Sequence, residues 1–96
     1  MNAQNANVTI GSLTFDHATY DATGDVLYLH VGEPRAAVDA DETPEGHVVR
    51  LDDDGAVIGL TIISPKHFLE RDGEIVVTMP EPQHVLASEL EPVLAS

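Results

Sequence analysis

Residues 46–63 constrain the fold most strongly, because they have the pattern of two β-strands joined by a tight acidic turn. The runs 46–51 and 56–63 are rich in Val, Ile and Leu, and Asp54-Gly55 lies between them. An Asp-Gly pair between two apolar runs is a strong hairpin signal, since Gly readily adopts the positive φ that such turns require. The second run is apolar on both faces, which predicts a central, covered strand. We expect one face to hold Ile58, Leu60 and Ile62, and the other Val57 and Ile63.

Two further turns are predicted in the first third of the chain. Gly11-Ser12 separates the apolar runs 8–10 and 13–15, as in a hairpin with a two-residue loop. The turn 21–25 follows, in which Asp21 can accept bonds from the next backbone amides and Gly24 can take a positive φ. A third strand over 26–31 is expected to place Leu27 and Leu29 on one face and Tyr28 and His30 on the other.

The sequence of the last third of the chain indicates a short helix, one more strand and a last short helix, in that order. Ser64 is expected to cap a helix that starts at Pro65, and Gly73 is expected to end it. A strand over 74–79 follows. Ser88 and Glu91 have the spacing of a capping box at the start of a last helix.

These patterns predict an α+β fold, formed mainly by an antiparallel β-sheet of five or six strands in meander order with one or two short helices. Residues 1–7 are polar and predict a flexible N-terminal segment, whereas residues 8–96 predict a single small β-rich domain. Residues 32–45 predict a long loop, because two prolines and a run of like charges both disfavour regular structure.

The charge of the chain excludes several classes of partner. Its 17 acidic and 4 basic residues give a net charge of −13, and the basic residues are scattered. Binding to a phosphate backbone requires clustered Lys and Arg, so we expect no nucleic acid partner. The same field disfavours anionic membranes and favours both solubility and a basic protein partner.

Size and composition predict a cytoplasmic homo-oligomer, with a dimer favoured. Aromatic residues make up only 4% of the 96 residues, so the core must be built from smaller aliphatic side chains, and a partner would help to cover it. The chain has no cysteine, which excludes disulfides and thiol chemistry. It shows neither a signal peptide nor an apolar run long enough to span a bilayer.

Two acidic segments invite comparison with metal sites, and one of them is kept as a candidate. In the predicted loop, carboxylates could hold a hard cation, although proline stands where such a loop would need glycine. These candidate ligands are Asp39, Asp41, Glu42 and Glu45. The run Asp52-Asp53-Asp54-Gly55 does not match the spacing of a calcium-binding loop and is interpreted as a turn.

No catalytic constellation is recognisable, so we predict no cofactor and no enzymatic activity. The five histidines lack the spacing of metal ligands, although strand pairing could bring His30 and His47 together. A small hydrolase is the remaining enzymatic alternative, and it would need a displaced pKa at Asp21, Asp25 or His30.

The residues around the first acidic turn form a candidate interaction patch. Tyr20, Asp21, Asp25, Tyr28 and His30 bring two phenols near two carboxylates. Such a patch could recognise a partner, while packing of the tyrosines against the sheet is the structural alternative.

The same residues resemble a bacterial family known as domain of unknown function 2283. The resemblance covers roughly residues 15–68 and is carried by Tyr20-Asp21, Asp25-Val26-Leu27-Tyr28-Leu29 and the strand 57–63. This chain has Thr61 where members commonly carry Glu, so it lacks that acid. The resemblance implies a small β-rich, non-secreted bacterial protein, and some domains of this type look like antitoxin-style partners of basic toxins.

From these features we expect a small acidic, non-catalytic interaction module that binds a basic protein or itself. The alternatives are a metal- or small-ligand-binding protein that uses the loop 39–45, and the small hydrolase.

Overall fold

The computed structural model describes residues 2–32, 36–79 and 81–94. They form eight β-strands and two α-helices, in this order: β1 Asn2–Ile10, β2 Leu13–Asp21, β3 Val26–His30, β4 Asp39–Glu42, β5 Val48–Leu51, β6 Val57–Ile63, α1 Pro65–Asp72, β7 Glu74–Thr78, β8 Pro82–Leu86 and α2 Ala87–Leu94.

Six strands form one antiparallel sheet in the order β1-β2-β3-β6-β5-β4, and β7 pairs with β8 in a separate hairpin. The predicted α+β class, with a meander-like antiparallel sheet and two short helices, is confirmed. As predicted, β6 is central, since it pairs with β3 on one side and β5 on the other. The predicted turn before it also forms, with Gly55 at φ 80° and its N–H donating to the Asp52 carbonyl.

The acidic run that predicted a loop instead contains β4, so that part of the prediction is wrong. All four residues of β4 are exposed, and the strand lies at the edge of the sheet. Charged side chains suit an edge strand because repulsion between like charges discourages edge-to-edge pairing with a second copy of the chain. β8 was also not predicted, and the first strand starts at Asn2 rather than at residue 8. The flexibility of residues 1–7 stays a prediction, and Met1 lies outside the described residues.

A bulge in the β5–β6 pair corrects the predicted faces of β6. Arg50 pairs with Gly59 and Leu51 pairs with Val57, which leaves Ile58 as the extra residue. One inserted residue shifts the alternation of a strand, so Val57 packs against the core and Ile58 does not. Leu60 and Ile62 stay on the core face, as expected.

The core lies on one face of the large sheet. From the sheet, Leu27, Leu29, Leu60 and Ile62 are buried there, together with residues of β7, β8 and α2. These covering residues are Ile75, Val77, Val85, Leu90, Val93 and Leu94. The predicted aliphatic core is therefore present. We call the opposite face of the sheet, which holds Tyr28, His30 and Thr61, the open face.

The two helices begin differently from the prediction. Ser64 makes no side-chain cap bond to α1, and its backbone is left-handed. α2 begins at Ala87, and Glu89 accepts a 3.0 Å bond from the Leu86 N–H. The predicted Ser88 capping box is therefore replaced by a glutamate that reaches back to an amide just before the helix. The predicted end of α1 is confirmed, because the Gly73 N–H donates to the Leu69 carbonyl.

Candidate functional site

The predicted interaction patch is divided between the two faces of the sheet. Tyr20 pairs with Leu27 and is only 4% exposed, whereas Tyr28 is 39% exposed. Asp21 accepts bonds from the N–H groups of Thr23 and Gly24, as the turn prediction required. The five residues therefore do not form one continuous surface.

Tyr20 and Asp25 form a partly buried joint between the first acidic turn and helix α1. The Tyr20 hydroxyl donates a 2.7 Å hydrogen bond to Asp25 Oδ1. The Asp25 carboxylate also accepts bonds from the N–H groups of Lys66 (3.3 Å) and His67 (3.4 Å). Amides in the first turn of a helix lack intrahelical partners, so Asp25 performs the capping role expected of Ser64.

The backbone and the electrostatics of this joint are both unusual. Asp25 has φ 53°, so the left-handed residue of the turn is Asp25 and not the predicted Gly24. Burial raises the pKa of Tyr20 to about 12, and the hydrogen bond to Asp25 and the charge of that carboxylate act in the same direction. The Lys66 ammonium lies 5.3 Å from the centre of the Tyr20 ring, a cation–π distance.

The four predicted metal ligands are not brought together. Asp39 and Asp41 lie on one face of β4 and Glu42 on the other, because they alternate along a strand. Glu45 accepts a bond from the Thr78 N–H (2.9 Å) and another from the Thr78 hydroxyl (2.6 Å). Its carboxylate therefore fastens the turn before β5 to strand β7.

Within the described residues, the acidic group with converging oxygen atoms is Asp52, Asp53 and Asp54, whose potential ligand atoms lie within 4.8 Å of one another. Asp52 Oδ1 accepts 2.9 Å bonds from the N–H groups of Asp54 and Ala56. The run therefore shows the turn chemistry expected from its sequence.

Many of the acidic side chains serve the backbone in this way. Carboxylates accept bonds from backbone N–H groups at turns, strand ends and helix starts, at Asp16, Asp21, Asp25, Asp39, Glu45, Asp52 and Glu89. By contrast, the carboxylates of Asp41, Glu42, Asp53 and Asp54 accept no hydrogen bond from the described part of the chain.

The acids of β4 lie next to those of the turn that precedes β6. Asp39 pairs with Leu51, so the start of β4 adjoins the turn that begins at Asp52. We call this surface the acidic edge, defined by Asp39, Asp41, Glu42, Asp52, Asp53 and Asp54. Its charges are exposed except for that of Asp52, which is half-buried.

His47 is buried, away from His30. Its exposed fraction is 0%, and its Nδ1 accepts a 3.1 Å bond from the Ile63 N–H. Nε2 has no hydrogen-bond partner of good geometry among the described residues. Burial lowers the pKa of His47, although the charge of Glu45 and the Val76 backbone favour the protonated form. His30 pairs instead with His17, and their rings stack at 4.5 Å.

A hollow of about 330 Å³ on the open face was not predicted. It is lined by Tyr28, Leu29, His30, Ala36, Arg50, Ile58, Gly59 and Thr61. Sequence alternation alone places Tyr28 and His30 on one face of β3, but only the strand register shows that Gly59 and Arg50 lie beside them.

Among the described residues, no helix is long and apolar enough to cross a membrane. No curated protein and no solved structure matches the chain. A sequence model of the family described as "Protein of unknown function (DUF2283)" matches residues 17–64, which is half of the 96-residue chain. The chain belongs to this family, and the resemblance noted in the sequence is confirmed.

Proposed function

We propose that this member of the DUF2283 family is a small non-catalytic interaction module that binds a basic protein along its acidic edge. One observation carries the proposal. Six acids lie on β4 and in the adjoining turn that begins at Asp52, and four of them, Asp41, Glu42, Asp53 and Asp54, bind no backbone amide of the described residues. Like charges held this close repel one another, and a cationic partner would relieve that repulsion.

The position of β4 supports a specific mode of binding. β4 is the last strand of the sheet, so one side of its backbone has no neighbour in the strand order. An extended basic segment could add to such an edge, with main-chain hydrogen bonds to β4 and Lys or Arg side chains beside the acids. An antitoxin-like role toward a basic protein would use this mode.

The test compares two variants of equal net charge. The edge variant carries Asp41→Asn, Glu42→Gln and Asp53→Asn, and the control carries Glu70→Gln, Glu81→Gln and Glu91→Gln, which are exposed acids outside the edge. The probe is a fluorescent lysine-rich peptide with β-forming residues between the lysines, and binding is followed by anisotropy.

We expect the edge variant to bind the peptide about tenfold more weakly, because three local charges are lost. The control should change affinity much less, because screening weakens the contribution of remote charges. Equal weakening in both variants would mean that the peptide responds only to net charge, and would overturn the proposal.

The homodimer and the cytoplasmic location are part of the same proposal. The absence of cysteine supports a reducing compartment, and exposed Tyr28 and Ile63 supply apolar surface for self-association. Sedimentation over a range of concentrations tests the dimer, and a single monomeric species throughout would contradict it.

A further inference from the structure

The hollow on the open face exists because glycine occupies the middle of a row of facing residues. His30 on β3 pairs with Gly59 on β6, and Gly59 pairs with Arg50 on β5. A side chain is missing at Gly59, so a gap separates His30 from Arg50. A Cβ atom at Gly59 would lie 3.3 Å from the Leu29 carbonyl oxygen and 3.5 Å from Arg50 Cδ. The floor of the hollow is therefore backbone, and the stem of Arg50 lies beside it.

Arg50 is a cation without a counter-ion in the described structure. It is exposed, and no carboxylate of the described residues forms an ion pair with it, although the chain carries 17 acids. The described residues that line the hollow also include no carboxylate. Two other basic side chains are engaged: Arg71 binds Asp72, and Lys66 lies over the Tyr20 ring.

The other walls of the hollow suit a flat group. Tyr28 contributes an exposed ring, and its pairing partner Thr61 contributes a hydroxyl in the next row. His30 is held in place because its Nδ1 lies 2.9 Å from the Gly32 carbonyl oxygen and its ring stacks on that of His17. A volume of about 330 Å³ lies at the lower end of the range for small-molecule sites.

We infer that this hollow binds a small molecule in which a carboxylate is attached to a flat ring. The guanidinium of Arg50 would receive the carboxylate, since its planar set of donors matches the two carboxylate oxygens. The ring would lie against the Gly59 backbone, Tyr28 and Ile58, beside the stem of Arg50. The inference does not depend on the acidic edge, because it uses the open face and a positive charge.

The probe is benzoate, followed by amide chemical shifts in ¹⁵N-labelled protein. We expect saturable shifts centred on Tyr28, His30, Arg50, Gly59 and Thr61. Benzamide keeps the ring without the charge, and acetate keeps the charge without the ring. Both should bind about fivefold or more weakly, because each lacks one of the two contacts.

Two variants and one control test the role of Arg50. Arg50→Gln should abolish saturable benzoate binding, whereas Arg71→Gln removes an arginine outside the hollow and should leave it unchanged. Thr61→Glu places a carboxylate diagonally across from Arg50, within reach of a long side chain, and should also abolish binding. Amide spectra of all three variants check that each is folded.

The inference is overturned if benzoate shifts residues elsewhere, if benzamide binds equally well, or if folded Arg50→Gln retains the affinity. The edge variant described above separates the two proposals, because it should weaken peptide binding while leaving benzoate binding intact.

Discussion

The Tyr20 hydroxyl donates a 2.7 Å hydrogen bond to the Asp25 carboxylate, which also faces the first amides of α1. The family match ends at residue 64, and α1 begins at Pro65. One carboxylate therefore joins the family segment to the part of the chain that follows it.

Replacing Tyr20 with phenylalanine should lower the free energy of unfolding by about 1.5 kcal/mol, because a partly buried hydrogen bond to a charged acceptor is lost while the ring is kept. Urea unfolding measures the change. Tyr28→Phe is the matched control and should cost less than about 0.5 kcal/mol, since that residue is partly exposed. Equal losses of unfolding free energy in the two variants would show that the bond between Tyr20 and Asp25 does not stabilise the fold.

The same contact predicts an alkaline limit to stability. The pKa of Tyr20 is raised to about 12 in the folded protein, above its ordinary value near 10. The stabilisation is therefore complete below pH 10 and is lost as the pH rises from 10 toward 12. Unfolding followed between pH 9 and 12 should show a smaller loss of stability in Tyr20→Phe than in the wild-type chain. Parallel pH profiles would refute this assignment.

Local patterns predicted much of the fold, and contacts between distant residues did not follow from them. The β5–β6 hairpin, whose turn contains Gly55, is encoded by neighbouring residues. Its turn and its central strand β6 were therefore predictable. The bond from the Lys66 amide to Asp25 joins residues 41 positions apart, and no local pattern indicates it. The bulge at Ile58 depends on pairing with β5, so single-strand alternation assigned that residue to the wrong face.

In the candidate sites too, the features that the sequence did not predict depend on strand pairing. An acidic run resembles a loop until its pairing with β5 makes it an edge strand. The hollow requires the register of three strands, since Arg50, Gly59 and His30 are separated in sequence and adjacent only in the sheet. The predicted hairpin pairs the strand of Arg50 with β6. The bulge decides which residue of β6 lies opposite Arg50, so the hairpin prediction could not identify that residue as Gly59.

His47 should make the protein less stable in mild acid. Burial lowers the pKa of His47 below the ordinary value near 6.5. Just below pH 6.5, His47 is therefore protonated in the unfolded chain but stays neutral in the folded chain. Stability should therefore fall as the pH drops through about 6.5, and this contribution should level off below the lowered folded-state pKa. Chemical unfolding from pH 7.5 to 5 measures the slope.

His47→Gln should flatten that slope while keeping an acceptor for the Ile63 N–H. His67→Gln is the control, because His67 is exposed. An unchanged slope in His47→Gln would show that another group causes the acid sensitivity.

Glu45 should stabilise the junction between the turn before β5 and strand β7. Burial would raise the pKa of Glu45, but hydrogen bonds from Thr78 and Thr43 outweigh it, so the net pKa is lowered. Its stabilisation is thus present above about pH 4.5 and is lost as the pH falls through the lowered value. Glu45→Gln should lower the free energy of unfolding by about 1–2 kcal/mol at pH 7. The variant should also lose less stability than the wild-type chain when the pH falls below 4.5. Glu42→Gln is the exposed control, and a similar cost there would exclude a specific role for Glu45.

The family segment should not fold without the residues that follow it. Six core side chains of β7, β8 and α2 are at most 7% exposed and cover the sheet, namely Ile75, Val77, Val85, Leu90, Val93 and Leu94. Burial of each such side chain contributes about 1.5–3 kcal/mol, and their sum is comparable with the whole stability of a small domain, about 5–15 kcal/mol. A chain cut after Ser64 also loses the helix that Asp25 caps. We expect it to show no cooperative thermal transition and to bind a hydrophobic dye, and we expect the 96-residue chain to unfold cooperatively. A dispersed amide spectrum from the truncated chain would show that its sheet is stable without a covering layer.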